Sequence, residues 1–109
     1  MKLLSTLLLA SGLMAASFAH AAVDADAAQA LLKKSDCFKC HAIDKKKDGP
    51  PYKEVAKKYK GKADAEDKLT KHITLSPMVE IDGKKEEHKS IKSKDAGEIK
   101  NVVQWILSL

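Results

Sequence analysis

The feature that narrows this chain most is a five-residue run, Cys37-Phe38-Lys39-Cys40-His41, which holds the only two cysteines in 109 residues. Two cysteines separated by two residues and followed at once by histidine form the attachment signature for c-type haem. The spacing has a chemical reason. Thiols three residues apart on one turn reach the two vinyl groups of a porphyrin and form thioethers, and the adjacent imidazole is then held under the iron as its proximal ligand. Cys37 and Cys40 are therefore candidate anchors for one covalently bound haem c, and His41 is the candidate proximal ligand. Two other chemistries use the same spacing. A thiol–disulfide oxidoreductase needs a βαβ pattern around the pair, and no strand-like alternation flanks it. A closed zinc site usually has a second Cys or His pair, whereas His72 and His88 are singletons.

The N-terminus points the same way. Lys2, an apolar stretch from Leu3 to Phe18, and the small residues of Ala19-His20-Ala21 read as a secretory signal peptide over residues 1–21. The stretch is short for a spanning helix and lacks a basic stop-transfer flank, and nothing later in the chain could cross a membrane. Residues 22–109 then form one domain, expected in the periplasm as a monomer, where c-type haem is attached. A cut after Ala21 leaves 88 residues with 19 lysines, no arginine, 15 acids and four aromatics. So small a domain is marginal on its own core, and a large apolar prosthetic group would supply what is missing. The acids are interspersed among the lysines, which argues against nucleic acid as a partner.

Apolar spacing predicts about four short helices and an all-α, single-domain fold around the haem. Residues from about Asp24 to Ser35 carry Ala27, Ala28, Leu31 and Leu32 on one face, with Lys33 and Lys34 in the last turn. Gly49-Pro50-Pro51 ends a loop. Tyr52 to Lys60 turns Val55, Ala56 and Tyr59 inward and stops at Gly61, and Asp64 to about Thr74 pairs Leu69 with Ile73. Ser76 to Ser93 shows no period and reads as a long loop. In the last helix Asp95 caps with Glu98 at the third position, and Ile99, Val102, Val103 and Ile106 share a face.

These segments together resemble the class I c-type cytochromes, in particular the small bacterial cytochrome c-551/c-552 group. The resemblance rests on Cys37 to Asp44, on Gly49-Pro50 through Tyr52-Lys53-Glu54-Val55-Ala56 and on to Ala65-Glu66, and on Val103-Gln104-Trp105-Ile106-Leu107-Ser108. It implies that the first and last helices pack together near one haem edge. It also implies that the Pro50 carbonyl accepts a hydrogen bond from the second ring nitrogen of His41, which orients the imidazole and tunes its basicity.

The distal loop departs from the family pattern, because the usual proline-flanked methionine is absent. Two candidates for the sixth ligand remain. His88 lies 47 residues after His41 and 7 before Asp95, whereas Met78 lies 37 after and 17 before. The family places its distal ligand a short loop before the last helix, which favours His88. Met78 stays open, either as ligand or as a pocket-filling side chain. His72, on a helix beside Ile73, ranks third, as an exposed or otherwise satisfied histidine. A second imidazole would lower the potential, and a thioether would raise it.

The implied function is single-electron transfer between redox proteins, without catalysis. Lys39, Lys45, Lys46, Lys47 and Lys53 near the motif, with Lys84, Lys85 and Lys89 in the distal loop, could form a positive rim that steers an acidic partner. A haem-based binder or sensor of small ligands, with a displaceable distal donor, is the competing function.

Overall fold

The computed structural model describes residues 22–109, so the signal peptide assigned to 1–21 lies outside the described residues. Four helices carry the fold: α1 (Ala25–Lys34), α2 (Tyr52–Tyr59), α3 (Ala65–Thr74) and α4 (Ala96–Leu107). A 3-10 turn over Cys37–Lys39 follows α1, and two short strands, β1 (Met78–Ile81) and β2 (Lys84–Glu87), lie between α3 and α4.

Helices α1 and α4 start at side-chain caps. The Asp24 carboxylate accepts from the Ala27 amide at 2.9 Å, and that of Asp95 from Glu98 at 2.8 Å. At α4 the reciprocal half of the capping box is relayed. The Asp95 amide donates to the Ser93 hydroxyl, which in turn donates to the Glu98 carboxylate. Helix α4 is the spine of the molecule, packed by α1, α2 and α3 in turn. Its expected face, Ile99, Val102, Val103 and Ile106, is buried, and Trp105 joins it by meeting Tyr52 edge-on at 6.1 Å. Ala28, fully buried, lets α1 come close to α4. Asn101 on α4 then clamps the start of α1, accepting from the Asp24 amide at 2.9 Å and donating to its carbonyl at 2.8 Å.

The stretch from 76 to 93 is not the plain loop that its lack of period suggests. Strands β1 and β2 pair antiparallel, Met78 opposite Glu87 and Ile81 opposite Lys84, across the two-residue turn Asp82-Gly83. Both turn residues have positive φ, 51° and 78°. An Asp-Gly dipeptide between extended segments is a hairpin signal in its own right. The pattern hides it because only β1 alternates apolar with polar residues, while all four positions of β2 are exposed.

A candidate haem site

The attachment motif forms one tight helical turn. The Cys40 and His41 amides both donate to the Cys37 carbonyl, at 3.3 and 3.0 Å, which turns the two thiols and the imidazole toward one side. Asp36 enters this turn in the left-handed conformation, φ 60°. Both thiols are free and half-buried, and burial pushes the Cys37 thiol above its ordinary value.

The loop after the motif folds back to hold His41. The Gly49 amide donates to the Cys40 carbonyl at 2.8 Å, and the Tyr52 amide to that of Ala42 at 2.9 Å. His41 Nδ1 then lies 2.7 Å from the Pro50 carbonyl, so Nδ1 carries the proton and the other ring nitrogen keeps its lone pair free. Tyr52 stacks on the ring at 5.0 Å. Gly49 sits so close that a Cβ there would fall 2.5 Å from His41 Cε1 and 2.8 Å from Nδ1. Only glycine leaves the imidazole its place.

His41, Cys37 and Cys40 open onto a cavity of about 560 Å³, within the few-hundred-to-thousand Å³ range typical of cofactor sites. Leu32, Leu69, Ile73, Ile91, Val103 and Ile106 make its apolar lining, and Val79 and Ile81 of the hairpin add to it. His88, just after β2, faces the same cavity, its ring centre 6.0 Å from that of His41. Its Nδ1 is buried without a hydrogen-bond partner. Burial, helped by the charges of His72 and His41, lowers the pKa of His88 and keeps the ring neutral with an available lone pair. Metal–imidazole bonds run to about 2 Å. A 6.0 Å separation of ring centres therefore leaves the room that one iron between two imidazoles needs. Two half-buried thiols, an apolar hollow and an orphaned imidazole nitrogen are a donor set that fits haem c.

The other two distal candidates are placed differently. Met78 begins β1 on its outer side and is 59 % exposed, while Val79 and Ile81 turn inward. His72 is exposed on α3, as the sequence reading expects. It lines the cavity with its ring centre 4.4 Å from that of His88, and burial lowers its pKa, with His41 and Lys58 adding to the effect. Its position one helix turn above Lys68 carries no signal of that meeting, since the contact is made by a strand end sixteen residues later.

Two residues with no sequence signal fasten the distal segment. Ser35, 1 % exposed, accepts the Lys92 amide on its hydroxyl at 2.8 Å. The Asp36 carboxylate gathers Lys39 at 3.4 Å, Lys92 at 3.7 Å and Lys89 at 4.0 Å. The Ile91 amide donates to the Ile73 carbonyl, and that of His88 to Pro77, both at 2.8 Å.

Comparison with known proteins agrees with this geometry. The family model for cytochrome c matches residues 25–109. Cytochrome c-551 of Pseudomonas aeruginosa is 44 % identical over 66 residues, covering 61 % of this chain and 60 % of that relative. Cytochrome c-552 of Hydrogenobacter thermophilus is 35 % identical over 79 residues, 72 % of this chain and 78 % of the relative. Among solved structures, the class 1 cytochrome MtoD of Sideroxydans lithotrophicus ES-1 superposes with a TM-score of 0.76 at 56 % identity, over 80 % of this chain and 97 % of that one.

Proposed function

The chain belongs to the cytochrome c family, whose members carry electrons on one covalently bound haem c, and from that premise we propose a periplasmic shuttle of single electrons between redox proteins, its iron held by His41 and His88. In this reading residues 1–21 are the export signal and 22–109 the mature domain. Cys37 and Cys40 carry the thioethers. When bound, the haem supplies a one-electron iron couple. The protein's part is to set that couple and keep it from other chemistry. Pro50 draws on the Nδ1 proton of His41 and makes the proximal imidazole a stronger donor. The apolar lining excludes water. Ser35, Asp36 and the Ile73 carbonyl fasten the chain beyond His88, so the distal donor is held in place, which favours a carrier over a binder of small ligands.

The observation that supports His88 most is its ring on the wall of the cavity that His41 faces, with a buried Nδ1 that has no partner. Met78, on the outer side of β1, has no comparable placement. Two imidazoles give a low-potential couple. The optical spectrum of the oxidised haem-loaded protein tests this. It should be low-spin without the weak far-red band of iron–methionine sulfur, and His88→Ala should turn it high-spin. A far-red band that disappears in Met78→Ala would overturn the assignment.

A further inference from the structure

The two imidazoles on the cavity, His41 and His88, are held in unlike ways. His41 is fixed on three sides. Its Nδ1 lies 2.7 Å from the Pro50 carbonyl, Tyr52 stacks on the ring at 5.0 Å with the planes 21° apart, and Gly49 backs it. His88 is fastened through its backbone. Its amide donates to the Pro77 carbonyl, and the Ile91 amide to that of Ile73, both at 2.8 Å. A metal-bound histidine usually donates its second ring N–H to a carbonyl, a carboxylate or water, and that bond sets the orientation of the ring. His88 has no counterpart of the Pro50 bond, and its Nδ1 is buried without a partner.

What meets the His88 ring is another imidazole. The ring of His72 lies with its centre 4.4 Å away and its plane inclined at 60°, a close tilted packing of the edge-to-face kind. This neighbour stands on a firm element. Helix α3 buries Ala65 and Leu69, and Gln104 of α4 donates to Glu66 in its first turn at 3.2 Å. The Ile91–Ile73 bond then keeps the last turn of α3 in register with residues 88–91, which brings His72 beside His88. His72 is otherwise exposed, so the demands of the core do not account for a ring at this place.

We propose that His72 is a positioning residue for the distal ligand: its ring, packed against that of His88, fixes the plane of the distal imidazole, as Pro50 does for His41. The inference rests on the reading of His88 as distal ligand given above. A ring bound to a metal through one nitrogen keeps one freedom, rotation about that bond. The His72 ring, carried on α3, limits that rotation, and the His88 plane stays inclined at 49° to that of His41.

Electron paramagnetic resonance of the oxidised haem-loaded protein tests this, because the spread of g values of low-spin iron between two imidazoles depends on the angle between their planes. Wild-type protein should give one narrow low-spin signal. His72→Ala should stay low-spin and lose that single signal, which becomes broad with a shifted largest g value. His72→Phe keeps a flat ring without ring nitrogens and should restore the narrow signal. An unchanged signal in His72→Ala overturns the proposal. So does a change that His72→Phe fails to reverse, since a polar contact and not ring packing would then orient His88. A high-spin His72→Ala protein would make His72 itself the distal ligand and overturn it as well. Failure of the premise is distinguishable, because the wild-type protein would then show the iron–methionine band or a high-spin spectrum before any substitution.

Discussion

The two sides of the cavity are built by different means. On the proximal side, the thiols, His41, Gly49, Pro50 and Tyr52 lie within sixteen residues, joined by hydrogen bonds that span ten residues or fewer. On the opposite side, His88, the distal donor we propose, comes from the end of a hairpin with one strand exposed throughout, and the segment after it is fastened 57 residues back, to Ser35. A local cradle loses little chain entropy on forming and can be present before the rest of the domain is complete. A donor on a long segment depends on non-local contacts, each of which must offset the ordering of the chain between them. The distal side should accordingly loosen first.

The largest expected effect tests how far the whole core depends on the proximal side. Cys37→Ala with Cys40→Ala should leave no haem on the polypeptide in a haem-stained denaturing gel. Far-UV circular dichroism should show most of the helix lost, because so small a domain without its prosthetic group has too little apolar burial. Gly49→Ala acts within the cradle. Its Cβ would collide with His41, an overpacking cost of about 1–3 kcal/mol, and His41 would leave the Pro50 carbonyl. Thermal unfolding of the haem-loaded variant should fall by about 4–8 °C per kcal/mol.

Ser35→Ala strikes the distal side alone. It leaves the Lys92 amide unpaired, at a cost of about 1–2 kcal/mol. Hydrogen exchange should accelerate at residues 88–92 while the amides of residues 40–52 keep their protection; equal acceleration on both sides would mean that they do not differ in stability. The smallest effect concerns Asp36. Its carboxyl is held below its ordinary value of 3.8 by the hydrogen bond from Lys39 and then by the charges of Lys39 and Lys92. A carboxyl depressed in the folded state contributes stability above its ordinary value, and the contribution is lost as pH falls through the folded value. Asp36→Asn, which tolerates the left-handed backbone, should flatten the stability curve below about pH 4.

Much of the fold and half of the site were legible in the residues. The faces of α1 and α4 follow from a 3.6-residue period, and the ends of α1 and α4 from Asp24 and Asp95. The hairpin was legible only in part, since Asp82-Gly83 signals a turn but β2, Lys-Lys-Glu-Glu, has no apolar face to announce a strand. The lysine rim was legible as composition and not as a surface. Lys39, Lys47 and Lys89 turn out to be engaged with Asp36 or a carbonyl.

The sequence by itself determined the prosthetic group and the proximal half of its cradle. Those features depend on residues a few positions apart, where bond geometry and backbone torsions leave few arrangements. Only the tertiary structure decided that His72 meets His88, that Met78 faces outward and that Ser35 and Asp36 fasten the distal segment. Each of these depends on where separate helices come to rest against α4, and that is set by the shape of the whole core.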